Sequence, residues 1–130
     1  MSNPVRILLV EDDRFLRRAC EASLQQRGFA VTSAADGEDG LTKAKAERFD
    51  VILLDLLMPK KPGIEVLAEL KNDEATRQIP VLILSNSSRE EDKRRAVQLG
   101  AHGYYVKANL SLKALGDEIA GLVKAYDAAR

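Results

Sequence analysis

The chain has one cysteine, Cys20, in 130 residues, so no internal disulfide can form and a disulfide-stapled framework is excluded. The simplest role for Cys20 is that of a small buried apolar residue. Neither charge is in excess: Lys and Arg number 20, and so do Asp and Glu. Without a global field, nothing steers the whole molecule onto nucleic acid or an anionic membrane. Long hydrophobic runs are missing as well. Residues 51–54, Val-Ile-Leu-Leu, are far too short a run to span a bilayer. The opening Met1-Ser2-Asn3-Pro4 lacks a charged stretch followed by an apolar one, so no secretion signal is expected and the cytoplasm is the default location. Linker-like, low-complexity and repeated tracts are also lacking. The expectation is one domain over residues 1–130, with no output domain attached.

What is present is the balance of a globular domain, 45% hydrophobic and 31% charged. Five short apolar runs predict strands at residues 6–10, 31–35, 51–54, 81–84 and 104–106. They are rich in Val, Ile and Leu and run on without alternating, which is the pattern of strands covered on both faces. The second and fifth are weaker, as strands near a sheet edge would be.

Helical stretches lie between them. The first follows Asp13, sets Leu16, Cys20, Ser23 and Leu24 on one side, and stops at Gly28. The second begins near Asp36 and carries Leu41, Ala44 and Ala46. The third starts at Pro62, a favourable first helical residue, and shows Ile64, Leu67 and Leu70. Ser88 and Glu91 have the spacing of a capping box for the fourth, which Gly100 closes. The fifth carries an apolar stripe of Leu112, Leu115, Ile119, Leu122 and Tyr126. Strand and helix alternate five times, which predicts an α/β domain with a parallel sheet and helices on both faces. Class and length together suggest the strand order 2-1-3-4-5.

Such sheets bind ligands beyond the carboxyl ends of their strands, where the winding reverses, here between the first and third strands. Glu11-Asp12-Asp13 follows the first strand and Asp55 follows the third. Ser85 ends the fourth and Lys107 the fifth. Clustered carboxylates repel one another and call for a cation. Hard oxygen ligands with room for water suit Mg²⁺, which binds a few carboxylates and a substrate phosphate. An Asp carboxylate beside such an ion is a competent nucleophile towards phosphorus. Lys107 offers a positive charge to the oxygens of a transferring phosphoryl group, and Ser85 a hydroxyl. Each residue alone has a plain reading. Asp13 is the expected helix cap, a lone Asp or Ser after a strand is usually a turn residue, and a Lys is usually a solvated charge. Their convergence on one crevice favours function.

Taken in order, these pieces resemble the receiver domain of bacterial response regulators, the phosphoacceptor part of two-component signalling, and in particular its single-domain, chemotaxis-regulator-like form. The likeness runs from Val5-Arg6-Ile7-Leu8-Leu9-Val10-Glu11-Asp12-Asp13 to the last helix, through Asp36-Gly37, residues 50–59 with Leu54-Asp55-Leu56-Leu57-Met58-Pro59, Gly63, Ile79-Pro80-Val81, Ser85, Gly100-Ala101 and Gly103-Tyr104-Tyr105-Val106-Lys107. It implies a flavodoxin-like, doubly wound sheet with five helices. By this resemblance Asp55 accepts a phosphoryl group from a histidine kinase or histidine phosphotransfer protein. The cofactor is Mg²⁺ (or Mn²⁺). Asp12 and Asp55 are its direct ligands, Glu11 acts through water, and the backbone carbonyl of Leu57 completes the protein's ligands. Ser85 and Lys107 hold the phosphoryl group. Ser85 and Tyr104 form a switch that reshapes the surface of the fourth helix, fifth strand and fifth helix for a downstream protein. The only catalysis implied is of the domain's own phosphorylation and dephosphorylation. No nucleic acid or membrane partner is implied, and the assembly is a monomer or a phosphorylation-linked dimer.

Several positions depart from the commonest family pattern. Ala108 stands after the site lysine where proline, joined by a cis bond, is usual. A cis bond before a non-proline costs about 2.5–4 kcal/mol, so the bond joining Lys107 to Ala108 is expected to be trans. Lys60, Lys61 and Pro62 make the loop after Asp55 basic; a solvated loop is the simpler reading, attraction of an acidic donor the other. Leu57 and Ser87 occupy positions where the family tunes access of water to the phosphoaspartate. His102 is expected on the surface, neither phosphodonor nor ligand.

Three rivals fit the fold. A pseudo-receiver would typically lack the acceptor or the lysine, and both are present. A nucleophilic-Asp phosphatase would carry a second Asp where Leu57 stands. A flavin-nucleotide binder would not place Glu11-Asp12-Asp13 in its phosphate loop.

Overall fold

The computed structural model describes residues 4–129, with side chains through residue 125. The elements run β1 (Arg6–Val10), α1 (Arg14–Gln26), β2 (Ala30–Ala34), α2 (Gly37–Ala46), β3 (Val51–Asp55), α3 (Gly63–Asn72), β4 (Val81–Ser85), α4 (Glu90–Gln98), β5 (Gly103–Val106), a 3₁₀ turn (Lys107–Asn109) and α5 (Leu112–Ala129). The five strands are all parallel, in the order β2-β1-β3-β4-β5. The expected α/β class, helix number and strand order are therefore found. The Tyr126 side chain assigned to the α5 stripe lies outside the described residues.

The pleat sorts each continuous apolar run into two cores. Leu8, Val10, Ile52, Leu54, Val81 and Ile83 pack with residues of α2, α3 and α4. Ile7, Leu9, Val51, Leu53, Leu82 and Leu84 pack with Cys20 and Leu24 of α1 and with Leu115 and Ile119 of α5. Successive side chains point to opposite faces of a strand, and both faces here meet helices, so the interiors of β1, β3 and β4 are apolar throughout and polar residues stand only at their ends. At roughly 1.5–3 kcal/mol for each large aliphatic side chain, these two layers supply the domain's stability.

Five local expectations are corrected, the first being β5, which begins one residue early, at Gly103. β2 lies one residue earlier than expected, because the Ala30 amide pairs with the Val5 carbonyl at 2.8 Å. β3 and β4 each take in their terminal polar residue: Asp55 stands level with Leu84, and Ser85 with Val106. Strand pairing is a backbone property, so a polar side chain does not end it. Pro62 is the cap of α3 rather than its first helical residue.

The Ser88–Glu91 capping box does not form. The cap of α4 is Arg89, without a side-chain cap bond, and it is Ser87 whose hydroxyl accepts the Arg89 amide at 3.2 Å. Asp13 and Asp36 do cap α1 and α2, accepting the amides of Leu16 and Asp39 at 3.1 and 2.8 Å. α4 is the most weakly seated helix: Ala96 is its one buried residue, and Val97 is 59% exposed.

Candidate functional site

Strand register brings the acidic residues together. Val10 lies opposite Leu54, so the next residues, Glu11 and Asp55, emerge side by side at the carboxyl edge. Alternation sends both to the face covered by α1 and α5, where Lys107 arrives from the end of β5. Ser85 and Tyr104 fall on the other parity, and Tyr104 packs with the core shared by α4.

Glu11 and Asp55 are buried, while Asp12 is exposed. One oxygen from each of the three lies within 4.8 Å of the others. The Lys107 ammonium bridges the buried pair, 2.9 Å from Glu11 Oε1, 3.1 Å from Oε2 and 3.0 Å from Asp55 Oδ2. Glu11 Oε2 also accepts the Asp13 amide at 3.0 Å, and Asp55 Oδ1 accepts the Leu57 amide at 3.3 Å. Oε1 of Glu11 is within ion-pair reach of the ammonium, yet no hydrogen bond is directed at it.

Three carboxylates against one ammonium leave the pocket net negative. Burial, and then the charge of Glu11, push the Asp55 carboxyl up from 3.8 to about 7, against the pull of Lys107. Burial works against the Lys107 ammonium, but its hydrogen bonds to Glu11 and Asp55 hold it above the ordinary lysine value.

These residues fit a hard divalent cation. The donors are all oxygen, the cluster carries excess negative charge, and one buried oxygen lacks a directed donor. The Leu57 carbonyl enters no hydrogen bond among the described residues. The loop carrying it is held by close backbone packing. A Cβ on Gly63 would run into the Asp55 carbonyl, and one on Gly37 into the Lys61 carbonyl. Lys60 sits in the left-handed region at φ 70°, rare for a residue with a side chain.

The basic loop charges are answered internally: Lys60 lies 3.4 Å from Asp36, and Lys61 pairs with Glu69. Lys60 is nevertheless largely exposed, as a solvated loop requires, whereas Lys61 is held against α3. The bond joining Lys107 to Ala108 is trans, as expected. His102 is exposed, and Cys20 is buried with its thiol pushed up to about 11, chiefly by that burial.

Two contributors escaped the sequence reading. The Arg17 guanidinium donates to the Glu11 carbonyl at 2.9 Å and the Asp12 carbonyl at 3.5 Å, tying down the acidic turn. Its signal was position, since it stands four residues after Asp13 and so lies over the turn that starts α1. Asp92 accepts a hydrogen bond from the Ser87 hydroxyl. Nothing in the local sequence distinguished Asp92 from Glu90 and Glu91 beside it.

The comparisons with known proteins agree with this geometry. A 40% identical segment, covering 78% of the chain, lies in the transcriptional activator protein PfeR of Pseudomonas aeruginosa. Another at 38% identity, covering 88% of the chain, lies in the gliding motility regulatory protein of Myxococcus xanthus. The chain spans only 32% and 15% of those two proteins' lengths.

Among solved structures, chemotaxis protein CheY4 of Vibrio cholerae matches with a TM-score of 0.85 at 30% identity, over 92% of this chain and 99% of that one. The receiver domain of sensor histidine kinase PA1611 from Pseudomonas aeruginosa matches with a TM-score of 0.85 at 28% identity, over 94% and 99% of the two chains. That structure holds a magnesium ion coordinated in its active site cleft. The family model of the response regulator receiver domain matches residues 7–119. With its sheet order, acidic strand ends and bridging lysine in agreement, the chain belongs to the response regulator receiver domain family.

Proposed function

We propose that Asp55 is the phosphoacceptor, that Glu11, Asp12, Asp55 and the Leu57 carbonyl hold Mg²⁺ (or Mn²⁺), and that a histidine kinase or histidine phosphotransfer protein is the donor. The observation that carries this is the shared pocket, in which Lys107 bridges Glu11 and Asp55 within 4.8 Å reach of Asp12. When bound, the cation neutralises the carboxylates and withdraws charge from the phosphoryl oxygens.

The chain's own residues do the rest. An ionised oxygen of Asp55 forms a bond to phosphorus as the bond to the donor's imidazole nitrogen breaks, and the imidazole departs with that electron pair. Lys107, already held between two carboxylates, balances charge on the arriving oxygens. Ser85 accepts the Ser87 amide at 3.1 Å, which leaves its own proton to donate to a phosphoryl oxygen. On the same rim, the exposed Phe15 and Leu57 offer apolar contact to a donor protein.

The output surface is that of α4, β5 and α5. The Tyr104 hydroxyl donates to the Ser87 carbonyl at 2.9 Å, which places the ring beside the turn that follows Ser85. A phosphoryl group that engages Ser85 thereby biases the position of Tyr104, and the weakly seated α4 shifts at small cost. The test is labelling by acetyl phosphate. It should require a divalent cation and vanish in Asp55→Asn; equal labelling of that variant would overturn the assignment.

A further inference from the structure

We propose that Asp92 is a positioning residue for the Ser85 hydroxyl, acting through Ser87, and that this side-chain bond is what joins α4 to the phosphoryl site. The inference rests on the reading of Ser85 and Tyr104 given above, and deepens it.

Ser87 makes four hydrogen bonds. Its amide donates to Ser85 Oγ at 3.1 Å, and its carbonyl accepts from Tyr104 at 2.9 Å. Its hydroxyl accepts the Arg89 amide at 3.2 Å and donates its one proton to the Asp92 carboxylate. The N–H and C=O of one residue flank the same Cα. A rotation of Ser87 therefore moves its bond to Ser85 and its bond to Tyr104 together. What sets that rotation is the side chain, and the side chain is committed at both ends, to the cap of α4 and to the third residue of that helix.

The other acidic residues of the turn do not share this role. Glu90 and Glu91 are exposed and pair with Lys93 and Arg89 at the surface, whereas Asp92 is half-buried and reaches out of the helix. Apolar packing supplies only a thin alternative link: Ala96 is the single buried residue of α4, in the cluster against which Tyr104 also packs. A charge-assisted hydrogen bond to a carboxylate is stronger than a neutral one, so it is a suitable linker where packing is thin.

The experiment follows backbone amide signals while the full chain is titrated with beryllofluoride in Mg²⁺. In the wild type, residues 55–57, 85–87, 104 and 90–98 should shift together. In Asp92→Ala the shifts at 55–57 should persist, while those at 90–98 fall by about threefold or more, a loss of coupling on the scale usual between linked sites. Asp92→Asn keeps an acceptor oxygen in a neutral, weaker bond and should recover part of them. Glu91→Ala removes a like charge from the same turn without touching Ser87, and should leave them intact. A wild-type response of 90–98 in Asp92→Ala, or an equal loss in Glu91→Ala, would overturn the proposal. A wild type in which 55–57 respond while 104 and 90–98 stay silent would instead sink the switch on which it rests, and the proposal with it.

Discussion

Replacing Asp55 by Asn should make the metal-free domain more stable at pH 8, although it removes the proposed phosphoacceptor. Asp55 is 3% exposed and shares its pocket with the buried Glu11. In the folded chain its carboxyl titrates near 7 rather than 3.8. Below 3.8 the group is protonated in both states and contributes no difference. As pH rises, the unfolded chain releases a proton that the native chain still holds, so native stability falls until the folded group also ionises near 7. The interval corresponds to roughly 4 kcal/mol at most.

Asn fills nearly the same volume without charge, and Lys107 keeps Glu11 at 2.9 and 3.1 Å. The rise to about 7 already includes the attraction of Lys107; burying the polar Asn amide in the same site offsets part of the gain, and about 1–3 kcal/mol of net stabilisation remains. Urea unfolding followed by circular dichroism in a chelator would measure it. The gain of Asp55→Asn over the wild type should be near zero at pH 4 and largest above pH 7. Mg²⁺ at tenfold its dissociation constant should then add about 1.4 kcal/mol to the wild type and less to the variant. A variant no more stable than wild type at pH 8, or a gain that does not change with pH, would refute the reasoning.

Three further outcomes follow from the same pocket. Asp12→Ala should weaken Mg²⁺ binding by about tenfold or more, whereas Asp13→Ala should leave affinity nearly unchanged and cost about 1 kcal/mol of stability by removing the α1 cap; a metal titration with the reverse order would show the acidic pair mis-assigned. Lys107→Met should destabilise the metal-free domain by about 3–5 kcal/mol at pH 8, because it leaves two buried carboxylates without a cation, and Mg²⁺ should return part of that loss in thermal melts. Gly63→Ala should cost about 1–3 kcal/mol and lower Mg²⁺ affinity at once, since its Cβ displaces the Asp55 backbone; a silent substitution in both assays would remove that contact from the account.

Much of the architecture was legible because its signals are local and repeated. Apolar runs without alternation, each followed by a helical stripe, suffice to indicate a parallel sheet covered on both faces. A parallel winding places every strand's carboxyl end on one edge, so Glu11, Asp12, Asp55, Ser85 and Lys107 could be gathered into one crevice before any coordinate was known. The caps at Asp13 and Asp36 were readable for the same reason: the bond they make closes within three residues. The cap of α4 was not, because Ser87, Ser88, Glu90 and Glu91 offer overlapping versions of one motif, and only the path of the chain chooses between them.

By itself, then, the amino-acid order determined which groups meet and what chemistry they share. Tertiary structure alone decided how they meet. Lys107 pairs with Glu11 across 96 residues, and burial together with the charge of Glu11, brought beside it by strand pairing, lifts Asp55 to about 7. The same holds for Lys60 and Lys61, whose charges are spent on Asp36 and Glu69, and for Asp92, which is set apart from its acidic neighbours only by the turn it faces. Desolvation and pairing depend on distances in space, and a one-dimensional order fixes those only once the sheet has closed around them.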